Sequence, residues 1–404
     1  MLGLETGNID PATSPNVDGP ASDTRFMDYY QRNLAGLMVW LDSEENDYRK
    51  RVVPLAEHQP AIGFAIVAFA AQHGAMTCNP HENIATIAQS ARDRCLQLIQ
   101  TRAQEMTEKL AQGFELSSES DIADAEWMLA SILIVNNYEN ARCRVDAAES
   151  HRRAARTIVN LFSQSVSVTA GHELFAFLRN QLAIEDVMAA TTTFDEYLIR
   201  NAITPVPGSD SLLFSKYLTL LHQITLQSVE RIGRLHPAES SEEPLTMSMV
   251  QSEFEQARGA TLIAAGRLGL GGSTMVRDFV RLVEVYHNAG LLYAFSCLEY
   301  AREKGPEWRT ICTKLFDQLS GFEDLNSFVQ NLAWPTFIAG TTCHGNKERQ
   351  GMVVWMLTAI HEVTRFDYYM DAVDFLKCFW ADSNVDWRAR VRAREASGKR
   401  MFVV

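Results

Sequence analysis

Apolar residues recur at spacings of three and four along almost the whole chain, and no segment shows a convincing strand pattern. Phe26, Tyr30, Leu34, Leu37 and Leu41 begin this pattern. Because an α-helix turns once every 3.6 residues, side chains at these spacings share one face of a helix. The sequence therefore predicts an all-α protein whose first amphipathic helix covers residues 26–41.

Further stripes at the same spacing continue toward the C-terminus. They comprise Ile87, Ala91, Cys95, Leu98 and Ile99, then Val145, Ala148, Ala155, Ile158, Val159 and Phe162, and then Leu213, Tyr217, Leu220, Ile224 and Ile232. The segment 275–300 is apolar over more than half of its helical circumference, which favours a central helix. No repeat of fixed period is present, so a solenoid is disfavoured. We predict a single irregular many-helix globular domain.

The chain has 404 residues, which is long for one domain, yet no clear internal boundary divides it. Residues 1–23 carry four acids and no Lys or Arg, a composition that predicts a disordered acidic leader. We predict the helical domain over 24–390 and a basic tail over 391–404. Proline and glycine at 204–210, and prolines with acids and serines at 236–244, indicate surface loops.

The net charge of −13 argues against nucleic-acid binding by most of the surface, because phosphate contacts need clustered Lys and Arg. The local charge becomes positive near the end of the sequence. Four arginines lie there with one acid, Glu395: Arg388, Arg390, Arg392 and Arg394. This run is typical of a solvated C-terminal helix and tail. The alternative is a nuclear-import or DNA-backbone contact.

The longest apolar run, 61–71, has eleven residues, which is too short to span a membrane and indicates a core helix.

The N-terminus does not resemble a secretory signal, so the seven cysteines are expected to be reduced thiols. The two closest cysteines, Cys297 and Cys312, are 15 positions apart. A binuclear zinc cluster needs closely spaced cysteines, so this chain contains none.

No motif predicts a catalytic, cofactor-binding or metal-binding residue. His361 and Glu362 begin like a zinc-protease helix, but Arg365 stands where the second histidine would be. The glycine-rich run 266–274 lacks the Lys-Ser/Thr ending of a phosphate loop, and it is more simply a helix end followed by a cap. We expect neither cofactor nor metal.

Three acids, Asp367, Asp371 and Asp374, are spaced to share a helix face. In an all-helical protein such a face could hold magnesium and a diphosphate, as in terpene cyclases. A solvated acidic face with Lys377 as a helical neighbour is the favoured interpretation. An all-helical enzyme of secondary metabolism therefore remains the alternative function.

Several segments, in the same order, resemble the fungal-specific transcription factor domain of zinc-cluster regulators. They are the aromatic opening helix, His151 with Ala155 and Arg156, Asp186 in IEDVM, Tyr286 in VYHNAGLLYA, the run Trp334-Pro335-x-Phe337-Ile338-Ala339-Gly340, Arg349, Trp380 and Trp387. The resemblance covers residues 25–390, and the Trp-Pro run is its most specific part.

A structural role is expected for the Trp-Pro run. Pro335 is suited to a helix start, Gly340 to close approach of two helices, and Trp334 to a large apolar contact. Arg349 is expected to pair with an acid on a neighbouring helix.

The resemblance implies a nuclear transcriptional regulator of a fungal metabolic or secondary-metabolite pathway. Its helical domain would control activity by homodimerisation, by heterodimerisation with a zinc-cluster factor, or by binding a small-molecule effector. Because this chain lacks the cluster, DNA would be reached through a partner or an N-terminal domain outside the chain. A dominant-negative partner of a zinc-cluster factor is a further alternative, and no membrane association is expected.

Overall fold

The computed structural model describes residues 24–77, 82–163, 172–206, 213–233, 244–266, 271–298, 305–382 and 386–403. Within these ranges every regular element is helical and no strand occurs, which confirms the all-α prediction. The predicted leader, most of both predicted loops and part of the 266–274 run lie outside the described residues.

Sixteen α-helices are found among the described residues, together with two π-helical turns, Tyr30–Leu34 and Tyr48–Val52, and one 3-10 turn, Asn326–Asn331. The α-helices are α1 Thr24–Tyr29, α2 Val53–Leu55, α3 Pro60–Thr77, α4 Glu82–Ala111, α5 Glu119–Ala141, α6 Val145–Phe162, α7 Glu173–Thr193, α8 Glu196–Arg200, α9 Ser215–Gly233, α10 Met247–Ala265, α11 Ser273–Leu298, α12 Pro306–Leu319, α13 Ala333–Gly340, α14 Lys347–Thr364, α15 Tyr368–Ala381 and α16 Trp387–Ala396.

The chain forms two compact units, Met1–Leu182 and Ala183–Val404, with the division inside α7. The basic tail predicted from residue 391 is folded, because α16 runs through its start and Met401, Phe402 and Val403 are buried. Tyr368 packs edge-on against Phe402, with ring centroids 5.1 Å apart. The buried apolar residues at the end of the segment therefore pack it into the second unit.

The core of the first unit is built around α3, which packs against α4 and α5. The side chains of 65–71 on α3 have no exposed surface, which agrees with the predicted core helix. A capping box starts α5, since Ser118 Oγ accepts the Asp121 N–H and the Asp121 carboxylate accepts the Ser118 N–H.

No single described helix is both long and apolar enough to cross a membrane. One bent pair, Tyr48–Leu55 with Pro60–Gly74, meets the length and composition test only when the two are taken together across a 119° bend.

The predicted opening helix is shorter than the periodicity indicates. Regular helix gives way to a π-helical turn at Tyr30 and ends at Leu34, so residues 35–41 form turns. Asn46 Nδ2 donates to the Ala35 carbonyl at 2.9 Å, which provides a partner for a carbonyl at the end of the turn. The apolar spacing did not reveal this ending because Leu37 and Leu41, which lie beyond it, continue the stripe at helical spacing.

The centre of the second unit is α11, which packs against α9, α10, α12 and α13 and confirms the predicted central helix. Gly290 allows α10 to come close to it. A Cβ atom at Gly290 would lie 2.7 Å from the ring of Phe254 on α10.

A buried carboxylate ties the start of α11 to the segment after α12. The side chain of Asp278 accepts the N–H of Glu323 at 3.0 Å, the N–H of Asp324 at 2.7 Å and the guanidinium of Arg281 at 2.8 Å. Burial is the largest influence on its pKa and acts to raise it, but the backbone bonds and Arg281 together hold the pKa below its usual range.

Acid should therefore remove the stabilisation that Asp278 provides. A carboxyl whose pKa is lower in the folded state stabilises the fold above its unfolded pKa, here 3.8, and loses that effect as the pH falls through the folded pKa. Asp278→Asn should lower the free energy of unfolding at pH 7 by about 1–3 kcal/mol. Urea titrations at stepwise lower pH should show the gap between native and variant protein close below pH 3.8. A gap that stays constant into that acid range would contradict this account.

Candidate functional site

Helix α13 contains the most specific sequence motif and is buried at all eight of its positions. Pro335 occupies the first turn, where a backbone N–H has no partner within the helix, so its missing N–H costs no helical hydrogen bond. This placement agrees with the predicted helix start at the Trp-Pro step.

Trp334 is 1% exposed and is the largest fully buried side chain among the described residues. Its indole N–H donates to Thr191 Oγ1 at 2.8 Å, and that hydroxyl in turn donates to the Met188 carbonyl. The indole stacks on Tyr286 with centroids 6.0 Å apart and meets Tyr293 edge-on at 5.8 Å. One side chain therefore contacts both α7 and α11.

The same helix meets α15 at very short range. A Cβ atom on Gly340 would lie 2.6 Å from Leu376 Cδ1 and 3.1 Å from Val353 Cγ1. Trp380 Nε1 donates to the Gly340 carbonyl at 2.8 Å, and Phe337 packs on Phe375 at 5.9 Å between centroids. The predicted role of Gly340 in close helix approach agrees with this geometry.

Two further motif residues form hydrogen bonds with backbone groups that lie outside the α-helices. Tyr286 Oη donates to the Asn331 carbonyl at 2.8 Å, and burial raises its pKa well above the usual range. Asp186 is 2% exposed and its carboxylate accepts the Ile203 N–H at 2.9 Å. Both side chains satisfy buried backbone groups outside the helices that carry them, which is a structural task.

Arg349 does not make the ion pair that the sequence predicted. Its guanidinium lies 4.6 Å from the Phe316 ring centroid and donates to Thr313 Oγ1 at 3.2 Å, and no carboxylate within the described residues pairs with it. A planar guanidinium packs well on an aromatic face, so this cation–π contact replaces the expected salt bridge.

His151 lies in the first unit beside a buried carboxylate. Its Nε2 is 3.8 Å from Oε1 of the fully buried Glu139, which Arg92 contacts at 2.7 Å. Burial acts most strongly on the Glu139 pKa and raises it, but His151 and Arg92 together hold that pKa below its usual range. The group joins α4, α5 and α6 as an internal ion network.

The four C-terminal arginines are engaged inside the second unit. Arg388 is 4% exposed and contacts Asp386 and Ser228, the latter at 3.1 Å. Arg390 pairs with Asp382 at 3.3 Å, and Arg394 contacts Asp371 at 2.6 Å. Arg392 lies 6.0 Å from the Phe194 ring centroid. Arg388 is therefore not available to a phosphate, and the other three already have protein contacts.

The acidic face considered for an enzyme is also partly engaged. Asp371 is held by Arg394, and Asp367 Oδ1 lies 3.3 Å from His361 Nε2. Among the described residues no group of three or more His, Cys, Asp or Glu side chains could hold a metal ion. Six cysteines are free thiols, and Cys78 lies outside the described residues.

The partners of Trp334 were not named by the sequence, apart from Tyr286. Thr191 belongs to a run of three buried threonines that follows the apolar residues 187–190 at the end of α7, and that polar run in a buried segment is the signal that could have singled it out. Tyr293 lies in the segment VYHNAGLLYA that carries part of the resemblance, but nothing in that segment pointed to a contact with Trp334.

These contacts define a helical domain whose distinctive residues determine helix packing. The family model of the fungal specific transcription factor domain matches residues 25–403, and this chain belongs to that family. The resemblance inferred from the motifs is therefore confirmed, and a role in regulating transcription is supported. Searches of curated proteins and of solved structures returned no match.

We expect Trp334 and Thr191 to be energetically coupled. Thr191→Val leaves the buried indole N–H without a partner and should cost about 1–3 kcal/mol. Trp334→Phe removes that donor and part of a fully buried ring, while the Thr191 hydroxyl keeps its bond to the Met188 carbonyl, so its cost of about 1–3 kcal/mol comes mainly from lost packing. A double-mutant cycle measured by urea unfolding should give a coupling energy of about 1 kcal/mol. Trp334→Phe with Thr261→Val, a buried threonine on α10, is the control and should be additive. Additivity of the Trp334 and Thr191 changes would refute the coupling.

The two glycines Gly340 and Gly259 should respond oppositely to alanine. Gly340→Ala places a methyl group against Leu376 and should lower the free energy of unfolding by about 1–3 kcal/mol. Gly259 lies in α10, where an added Cβ atom would meet nothing within 4 Å, so Gly259→Ala should raise it by about 0.5–1 kcal/mol. Chemical denaturation of both variants provides the comparison, and equal effects would show that close approach at Gly340 is unimportant.

Proposed function

We propose that this chain is the regulatory part of a nuclear transcriptional regulator of a fungal metabolic or secondary-metabolite pathway. The observation that carries the proposal is the family match over residues 25–403. The domain controls activity through self-association, association with a zinc-cluster factor, or response to a small effector.

Contact with DNA is assigned to a zinc cluster on a partner or on a segment outside this chain. Two observations support that assignment. The cysteines are too far apart to form a cluster, and the most basic segment has its arginines at protein contacts, including Asp386, Asp382 and Asp371. A free phosphate-binding surface would instead present unpaired cations.

The motif residues favour regulation over catalysis. Trp334, Asp186 and Tyr286 pack against other helices or form hydrogen bonds with backbone groups. In the acidic face, Asp371 is neutralised by Arg394. A helical domain whose motif residues determine helix packing is suited to passing a binding event to an attached DNA-binding module.

A fusion experiment tests the proposal. The chain joined to an unrelated sequence-specific DNA-binding domain should enter the nucleus and change expression of a reporter that carries the matching operator. The DNA-binding domain alone and the fusion carrying Gly259→Ala are the matched controls, and the latter should behave like the native fusion. Deletion of the gene should change a limited set of transcripts. Exclusion of the chain from the nucleus together with an unchanged transcript profile would refute the proposal.

A further inference from the structure

Helix α10 meets the central helix α11 through charged side chains grouped around one buried histidine. His287 on α11 is 7% exposed, and its Nε2 lies 3.4 Å from Oε1 of Glu255 on α10. Arg258 on α10 contacts Oε2 of the same carboxylate at 2.7 Å, and it contacts Oε1 of Glu284 on α11 at 2.7 Å. A titratable imidazole therefore lies at a contact of two helices, in a group with two carboxylates and a guanidinium.

The other ring nitrogen of His287, Nδ1, is buried without a hydrogen-bond partner in the described part of the chain. The ring also meets Phe254 of α10 edge-on, with centroids 6.3 Å apart, and that phenyl ring lies directly against Gly290. Histidine in its charged form carries an N–H on both ring nitrogens. Because Nδ1 has no acceptor here, taking up a proton would bury an unpaired charged donor, which is unfavourable.

Burial has the largest influence on the pKa of His287 and lowers it. Glu255, Glu284 and the backbone of Phe254 act in the opposite direction. Arg258 acts in the same direction as burial, and the pKa stays below its usual value of 6.5. A histidine with a lower pKa in the folded state stabilises the fold above its unfolded pKa and loses that effect as the pH falls through the folded pKa. The stabilisation from neutral His287 is therefore present above pH 6.5 and is lost in acid.

The other elements that pack against this contact bring few further charges among the described residues. From α9, Tyr217 packs on the same phenyl ring with centroids 5.6 Å apart, and burial raises the pKa of its hydroxyl, so it stays neutral in acid. From α12, Glu307 accepts a hydrogen bond from Gln251, which lies one turn before Glu255 on α10. Helix α13, which packs on α11, has no charged residue. His287 is therefore the group placed to gain a proton at this contact as the solution becomes mildly acidic.

We propose that the contact between α10 and α11 is acid-sensitive: a proton bound by His287 weakens it, and α10 loosens from α11 as the pH falls. The apolar side chains that α10 buries, among them Val250, Phe254 and Ala257, then become accessible more often. The change is a local opening rather than unfolding of the whole unit. The inference goes beyond the proposed function, because it names a signal, the proton, that the family match does not imply.

Hydrogen exchange followed by mass spectrometry on the purified chain tests the proposal. Protection factors of the α10 amides, which divide out the intrinsic pH dependence of exchange, should fall by about threefold or more between about pH 7.5 and about pH 5.5. The ceiling is about tenfold, because one proton bound to the open form with the usual pKa of 6.5 changes the open population by no more than that one pH unit lower. The amides of α13, buried in the same unit, are the reference and should change by less than about twofold.

Two variants should change this response in opposite directions. His287→Gln keeps a donor for Glu255 but takes up no proton, so the protection of α10 should no longer fall in acid. Glu255→Gln removes a carboxylate that favours the charged imidazole, so the fall should become larger than in the native chain and approach the ceiling. Glu255 is exposed, so this second variant keeps the test available even if His287→Gln does not fold.

His222→Gln is the matched control, because His222 on α9 is also partly buried and burial lowers its pKa. The fall at α10 should persist in that variant. Protection of α10 that is unchanged or higher at about pH 5.5, a fall that survives in His287→Gln, a fall that Glu255→Gln makes smaller, or one that His222→Gln abolishes would each overturn the proposal. Each of these results would leave the transcriptional role intact, because that role is tested separately by the fusion experiment.

Discussion

The hydrogen bond between Trp334 and Thr191 connects residues 143 positions apart and fixes where the indole lies. Burying a tryptophan removes a large apolar area from water, but the N–H must find a partner inside the protein. Thr191 supplies that partner, so the ring can lie fully buried between Tyr286 and Tyr293 of the central helix α11. The short helix α13 is thereby held against both α7 and α11, and Gly340 at its far end then brings α15 into contact.

The helical fold was predictable because it depends on local spacing. A 3.6-residue period repeated from Phe26 onward favours helices over a sheet, and the apolar face of α11, which covers more than half of the helix circumference, correctly marks it as central. The endings of helices depend on more distant groups. Asn46 provides a partner for the carbonyl of Ala35, eleven positions earlier, and no pattern within the opening stripe reveals that contact.

The motif residues divide in the same way. Gly340 and Pro335 act through their own backbone geometry, so their roles followed from residue type. Arg349 acts through a partner, and residue type alone could not distinguish a carboxylate from the ring of Phe316. The C-terminal arginines show the same limit, since the acids that engage Arg390 and Arg394 lie 8 and 23 positions away. With 50 acids against 37 bases, a carboxylate partner is common in this chain, and a basic run is a weak sign of a nucleic acid.

Helix α14 shows why periodicity could not distinguish its inward face from its outward one. Val353, Leu357 and Ile360 are buried, whereas Trp355, an equally apolar residue on the opposite side, is exposed. A helix that is apolar all round is expected to be covered all round, in a core or at an interface. In α14 one side is covered by α13 and α15, and the other leaves 58% of Trp355 exposed.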